Sequence, residues 1–470
     1  MTKKFEMDMT SGPLLKKLVL YALPIVGVNI IQLLFNAADV AVLGIFASDD
    51  AVAAVGANTA LINLIIGLFI GFSVSANVLV ARYMGAGEQE RSRKVIGTSI
   101  FISLIIGVVL SIIGIAGAEL FLTWMKCPPA IFDMAVKYLR IYFLGMPIIM
   151  LYNFTAAIMR AVGDTLRPLI FLIIGGVLNI GLNIFFIVVL HRDVEGVAIA
   201  TVASQAVSAI LSLIVLIKGE GYAKLEKKHF RFYKDEFKDI VAIGLPTGLS
   251  RCMFSLSNVV LVSTLNGFGE QVIAANTIAH QYDAIVHDAT DAFAMGTLSF
   301  VSQNLGAKNF KRVWITVIES LFLVTGVGLA LGILMVLFSN QLCGIMTSTP
   351  EVIAYGSTRM MLLGPFFFTT GIMNVFSNVL KGMGKATLAM IGSLVCTVVF
   401  RLVWIYLIFP LNPTLEVFYI AYPISWGLCA VVFAILAIPI LLKKQKEYEK
   451  EKANNKVEEW EETLLTENLK

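Results

Sequence analysis

A chain of 470 residues that is 58% hydrophobic and only 14% charged, with mean hydropathy +0.83, is excluded as a water-soluble protein, which would carry roughly 25% charged residues. The formal net charge of +4 is too small to argue for a nucleic-acid partner. Five scattered cysteines (Cys127, Cys252, Cys343, Cys396 and Cys429) form no CxxC pair, so all five read as free thiols.

A membrane span takes about 20 apolar residues, and runs of that kind recur along the whole chain. They lie near 15–46, 51–82, 95–122, 132–160, 168–190, 195–217, 238–264, 272–303, 313–338, 352–380, 386–409 and 416–442. The expected class is an all-α integral membrane protein with twelve transmembrane helices. Several runs exceed the hydrocarbon thickness, which predicts tilt or extension into water. The opening stretch "MTKKFEMDMTSGPLLKKLVLYALP" lacks a small-residue cleavage site behind a short apolar core, so it reads as the first span and not as a cleaved signal. Pro24 inside that span is a candidate hinge, because it removes a backbone donor from the helix.

Basic residues set the orientation. Of the 36 Lys and Arg, 29 fall on the even-numbered connections and the two termini, which predicts that both termini are cytoplasmic in a cell (plasma or inner) membrane. The tail 443–470 carries seven Lys and eight Glu and reads as a solvated helix or a disordered segment.

The chain also repeats itself. "VARYMGAGEQERSRKV" at 80–95 matches "VSQNLGAKNFKRVWIT" at 301–316, and "AIMRAVGDTLRP" at 157–168 matches "NVLKGMGKATLA" at 378–389. Both pairs sit at the same offset, and Leu23-Pro24 meets Leu245-Pro246 at an offset one position longer. An internal duplication follows: a six-helix bundle over 1–217, a basic linker over 218–237, a second bundle over 238–442, then the tail. Six spans per half put both halves in the membrane the same way up. The expected relation is a pseudo-two-fold axis along the membrane normal, with a cavity between the bundles.

Leu-Pro opening spans 1 and 7, the Asp39 stretch ending in Gly44, "GAGEQER" after span 2 with its echo "GAKNFKR" after span 8, and "RAVGDTLRP" after span 4 occur here in order. In these features the chain resembles the multidrug and toxic compound extrusion (MATE) family over essentially residues 14–442. The resemblance implies a twelve-helix antiporter that exports organic, usually cationic, compounds against inward flow of protons or sodium ions. It also implies a cation site inside the first bundle at Asp39, Asn179, Asn183 and Thr201, with Tyr138 and Gln205 as neighbours. The side chains agree with that chemistry. Asn179 and Asn183 are four residues apart and share one helix face, Asp39 supplies charge, and a hard cation takes oxygen ligands. Many relatives carry a second aspartate where this chain has Asn183, so the loaded site would be neutral, which favours the proton over sodium.

An acid in a span marks function by default, because an isolated charge there costs a few kcal/mol. Span 8 carries several: His280, Asp283, His287, Asp288 and Asp291 fall within an arc of about 140° at 100° per residue. Two readings stay open, a water-filled cleft lining neutralised by Arg251 or Arg401, and an acidic surface that attracts cationic substrates. Arg401 in span 11 calls for an internal acid, with Asp283 and Asp291 as candidates. Span 10 adds Asn374 and Asn378 to the expected substrate cleft, and its "GPFFFTTGIMNVFSNV" adds apolar surface.

"GMGKAT" at 382–387 is not a phosphate loop, since position 379 is Val and position 386 is Ala. No nucleotide, cofactor or resident metal is therefore expected, only H+ or Na+ as coupling ion, and no catalytic residues. The expected partners are small-molecule drugs or toxins and membrane lipids, with the protein a monomer. The competing class is a lipid-linked sugar flippase of the same superfamily, which would line its cleft with Arg and Lys.

Overall fold

The computed structural model describes residues 5–468 and consists of helices in series. In chain order they are α1 (Leu14–Phe46), α2 (Asp49–Ala86), α3 (Gln89–Trp124), α4 (Pro129–Leu144), α5 (Met146–Ala161), α6 (Leu166–Ile184), α7 (Val194–Lys218), α8 (Lys234–Leu265), α9 (Glu270–Gly306) and α10 (Phe310–Leu337). There follow α11 (Ser339–Met346), α12 (Pro350–Leu363), α13 (Phe367–Gly382), α14 (Ala386–Ser393), α15 (Phe400–Val403) and α16 (Leu415–Asn468). Lys3, Lys4 and Lys470, which entered the charge count, lie outside the described residues.

Among the described residues ten helical segments are long and apolar enough to cross a membrane, and the bent pair α4–α5 makes an eleventh. α9 is equally long, but its His and Asp residues interrupt the apolar stretch. Two spans that read as single helices are broken. α4 and α5 meet at Gly145 with a bend of 49°, and Pro147 in the first turn of α5 lacks the N–H that would continue the ladder. α12 and α13 are separated by a 3-10 turn over Gly364–Phe366 that contains Pro365. α1, by contrast, stays helical through Pro24. α16 continues past the expected end of its span as a helix, so the tail takes the first of its two readings. It packs back on α10, where Trp314 Nε1 donates to Gln445 Oε1 at 2.9 Å.

Local chemistry explains the boundaries. The Ser48 side chain accepts from the Ala51 N–H, with Asp49 and Asp50 in the first turn, at the electropositive start of α2. Gly87 ends α2 in the left-handed region at φ 76°. Its counterpart in the second half is Lys308, which adopts φ 53° without glycine's freedom.

The halves meet chiefly through α2 against α8 and α9, and glycines let the backbones approach. A Cβ on Gly71 would collide with the Gly248 nitrogen. A Cβ on Gly85 would collide with the Gln303 carbonyl oxygen, and one on Gly306 with that of Arg82. Gly306 and Gln303 stand to Gly85 and Arg82 at the offset of the repeated motifs, so the duplication seen in the sequence packs against itself. Further bonds tie the same end. Arg82 Nη2 donates to the Gly382 carbonyl at 2.9 Å, and Tyr21 Oη and Ser299 Oγ share a hydrogen bond at 2.7 Å. The segment before α1 crosses this seam: the Met7 N–H reaches the Val162 carbonyl in one half, and the Met9 N–H reaches Gln303 Oε1 in the other.

Candidate functional site

Each half encloses one described cavity. The larger, about 450 Å³, lies wholly within the first half between α1, α2, α4, α5, α6 and α7. Asp39 lines it from α1, Tyr138 from α4, Asn179 from α6, and Thr201 and Gln205 from α7. Asn183 Nδ2 donates to Asp39 Oδ1 at 2.5 Å and also reaches Asn179 Oδ1 at 3.3 Å. Asn179 Nδ2 lies 3.5 Å from Thr201 Oγ1, whose hydroxyl donates to the Val197 carbonyl. The one-turn spacing of the two asparagines therefore serves a single network, as expected. α6 passes into a π-turn at Phe185–Val189 just beyond them, a distortion common at functional positions.

Asp39 is half-buried and forms no ion pair with any described residue. Two buried acceptors beside it, Asn183 Oδ1 and Gln205 Oε1, have no hydrogen-bond partner. A carboxylate among unsatisfied amide oxygens is a donor set for a proton or a hard cation. The Tyr138 ring stacks on Tyr142 at 6.0 Å and closes one wall. Pro24 is in none of these contacts; it stands fifteen residues before Asp39 on the same helix.

The second half differs from the expectation. Asp283 is neutralised by Arg359, a residue not among the candidates: Arg359 Nε and Nη2 donate to Asp283 Oδ2 at 3.1 and 2.5 Å. Arg359 Nη1 also donates to Asn276 Oδ1, and the guanidinium lies 5.4 Å from the centroids of both Tyr419 and Tyr422. Arg359 and Asp283 are 2% and 3% exposed. The signal was present in the sequence, since an arginine inside a span needs an internal partner. What the sequence lacked was the distance.

Arg401 has no acidic partner among the described residues, and the expected pairing with Asp283 or Asp291 is absent. Its neighbours are neutral. Nε donates to Ser425 Oγ at 3.1 Å, Nη1 donates to Asn258 Oδ1 at 3.0 Å, and the ring of Tyr422 lies 4.9 Å away. Its Nη2 is buried and has no partner. Helix packing puts α8 and α16 opposite Arg401, and neither presents a carboxylate there.

The stripe on α9 is also divided. His280, Asp283 and His287 line a cavity of about 90 Å³ together with Asn258, Asn276, Arg359, Tyr422 and Trp426. His287 is held edge-on between Phe367 and Trp426 at 5.4 and 5.3 Å. Asp288 is exposed and Asp291 half-buried, and neither lines that cavity. Asn378 is buried and tethers α13 to the Ala294 carbonyl at 2.9 Å, while Asn374 is half-buried; both lie outside the cavity. Among the described residues no group of three or more His, Cys, Asp or Glu could hold a metal ion.

A helical membrane protein with an acid-lined cavity in one half and a basic one in the other has the build of a small-molecule transporter. The MatE family model matches the chain twice, over residues 24–185 and 246–407. The chain belongs to that family, whose members are transporters, and one family unit occupies each half. Among curated proteins it is 26% identical over 380 residues to "Probable multidrug resistance protein NorM" of Thermotoga maritima, covering 80% of this chain and 82% of that one. It is 25% identical over 376 residues to "Probable multidrug resistance protein YoeA" of Bacillus subtilis, covering 78% and 81%. Among solved structures, a MOP superfamily transporter from Pyrococcus furiosus shares the fold at TM-score 0.86 and 24% identity, covering 93% of this chain and 98% of that one.

Proposed function

We propose that this protein is a cation-coupled antiporter that exports organic, chiefly cationic amphiphilic compounds by alternating access, and that Asp39 carries the coupling ion. The observation behind this reading is the Asp39 network: one carboxylate without a basic partner, hydrogen-bonded to Asn183, in a cavity of about 450 Å³. Because Asn183 stands where a second acid would make the site doubly charged, loading with one monovalent ion leaves it neutral, and the proton is the favoured ion. No cofactor takes part.

The architecture proposed for this cycle is twelve spans in two bundles, 1–217 and 238–442, related by a pseudo-two-fold axis. The reciprocal Gly85 and Gly306 contacts support it, and α9 then counts as the twelfth span. Both termini are assigned to the cytoplasm. The bonds between the halves gather at the end that carries Arg82, Gln303, Arg312 and Lys381, where the basic connections also lie. The described state is then closed to the cytoplasm, with the Asp39 cavity on the outward side of the seal. A cation taken up there neutralises Asp39 and removes its demand for Asn183 as donor. α1 can then bend at Pro24, the halves rock, and drug binding from the cytoplasm releases the ion inward.

The test uses purified protein in liposomes, with an imposed proton gradient or sodium gradient and a fluorescent lipophilic cation as cargo. Dye movement driven by one gradient in the wild type and lost in Asp39→Asn is expected. Gradient-driven movement that survives Asp39→Asn rejects the role of Asp39, and movement under neither gradient rejects antiport of this cargo.

A further inference from the structure

The duplication allows the two cavities to be compared position by position. The family unit at 24–185 recurs at 246–407, which sets one register. The starts of α4 and α12, at Pro129 and Pro350, and those of α7 and α16, at Val194 and Leu415, set another that is shorter by one position. In these registers Asn36 corresponds to Asn258, Asp39 to Leu261, Tyr138 to Arg359, Asn179 to Arg401, and Thr201 to Tyr422. Ser204, on the wall of the larger cavity, corresponds to Ser425, which accepts from Arg401. The matching helices thus build both pockets, and the charges differ in sign. Asp39 leaves the first half with one uncompensated negative charge. In the second half the acid position is Leu261, two neutral positions have become arginines, and only Arg359 has an acid opposite it.

A buried guanidinium without a counter-charge is costly and calls for an anion. The groups around the smaller cavity are arranged for one. Arg401 Nη2 and Trp426 Nε1 are buried donors without partners, and Asn258, whose Oδ1 is committed to Arg401, has its Nδ2 left to donate. The one unsatisfied acceptor is Asp283 Oδ1, the oxygen that Arg359 does not hold. The space of about 90 Å³ is several times the 10–15 Å³ or so that one water needs, and far short of a whole drug. It suits a carboxylate with one N–H donor beside it.

We infer that the second-half cavity is an anion subsite, built around Arg401 with Arg359 behind it, that takes the carboxylate of amphoteric organic compounds. The substrate range of the transporter then includes zwitterions whose anionic end seats here. The inference rests on the second half being part of the export path, but it concerns equilibrium binding and needs no gradient.

The experiment is fluorescence-anisotropy titration of purified protein with two dyes that share one ring system. Rhodamine 110 has a free carboxyl and rhodamine 123 is its methyl ester. Wild type should bind the acid at least roughly ten-fold more tightly than the ester, the scale of a charge-assisted bidentate contact. Arg401→Met should bring the ratio of affinities to about one, and Arg401→Lys, which keeps the charge but not the fork, should restore part of it. A merely structural role of Arg401 would weaken both dyes together and leave the ratio unchanged, which overturns the proposal. Equal wild-type affinities, or binding of neither dye, overturn it without any variant. Since no ion gradient is applied, none of these outcomes depends on whether Asp39 couples transport.

Discussion

The two halves share a plan and differ in how they treat buried charge. In the first, one acid sits among amides and a hydroxyl, with no base near it. In the second, an acid and an arginine cancel one another and another arginine stands alone among neutral partners. Duplication supplies the helices that surround a cavity, but not the charges in it. A few substitutions on a preserved scaffold are enough to invert a pocket, because each lining position comes from a different helix and can change independently.

The contrast can be broken most directly at its acidic pole. Asp39→Asn should abolish gradient-driven dye movement, while purified protein keeps its thermal stability within about 1 kcal/mol, since the amide replaces a carboxylate that has no ion-pair partner to strand. A large fall in melting temperature would instead make Asp39 a structural residue.

At the opposite pole the Arg359–Asp283 pair should be strongly coupled. Arg359→Met alone strands a buried carboxylate and should cost about 3–5 kcal/mol of stability. Asp283→Leu combined with Arg359→Met should recover most of that loss, as measured by thermal or denaturant unfolding in detergent. Additive losses would mean that the two side chains do not act as a pair.

The seam between the halves offers a smaller effect and a sharper comparison. Gly85→Ala and Gly306→Ala each push a methyl into a backbone carbonyl of the other half, at about 1–3 kcal/mol each. Because the contact is reciprocal, the two losses should agree closely, and a marked inequality in unfolding measurements would argue against symmetric packing at that end. The smallest expected change is at the turn after α9. Lys308→Gly places glycine where its counterpart Gly87 already stands and should relieve about 0.5–1 kcal/mol of left-handed strain. Loss of the exposed Lys308–Glu451 pair at 3.1 Å should offset only a small part of that gain.

The Asp39 network was legible early because its strongest clue is local: two asparagines one helical turn apart on α6 must share a face wherever that helix packs. The stripe on α9 was legible in the same sense, and His280, Asp283 and His287 do line one cavity. Its partners were not. Arg359 lies 76 residues from Asp283 along the chain, and nothing in the periodicity of α12 indicates which neighbour it meets. The assignment of an acid to Arg401 failed for a related reason. The cost of burying an arginine states that something must compensate it, and serine, asparagine and aromatic faces do part of that work here.

By itself, then, the sequence determined the membrane class, the duplication and the membership of the first-half network. Each follows from composition or from spacing along a single helix, which are properties a chain has before it packs. The tertiary structure alone decided which charges cancel, which one stands alone, and that the acidic stripe divides between a cavity and a more exposed face. Those outcomes depend on separations of a few ångströms between helices far apart in the chain, and electrostatic pairing is settled at that distance.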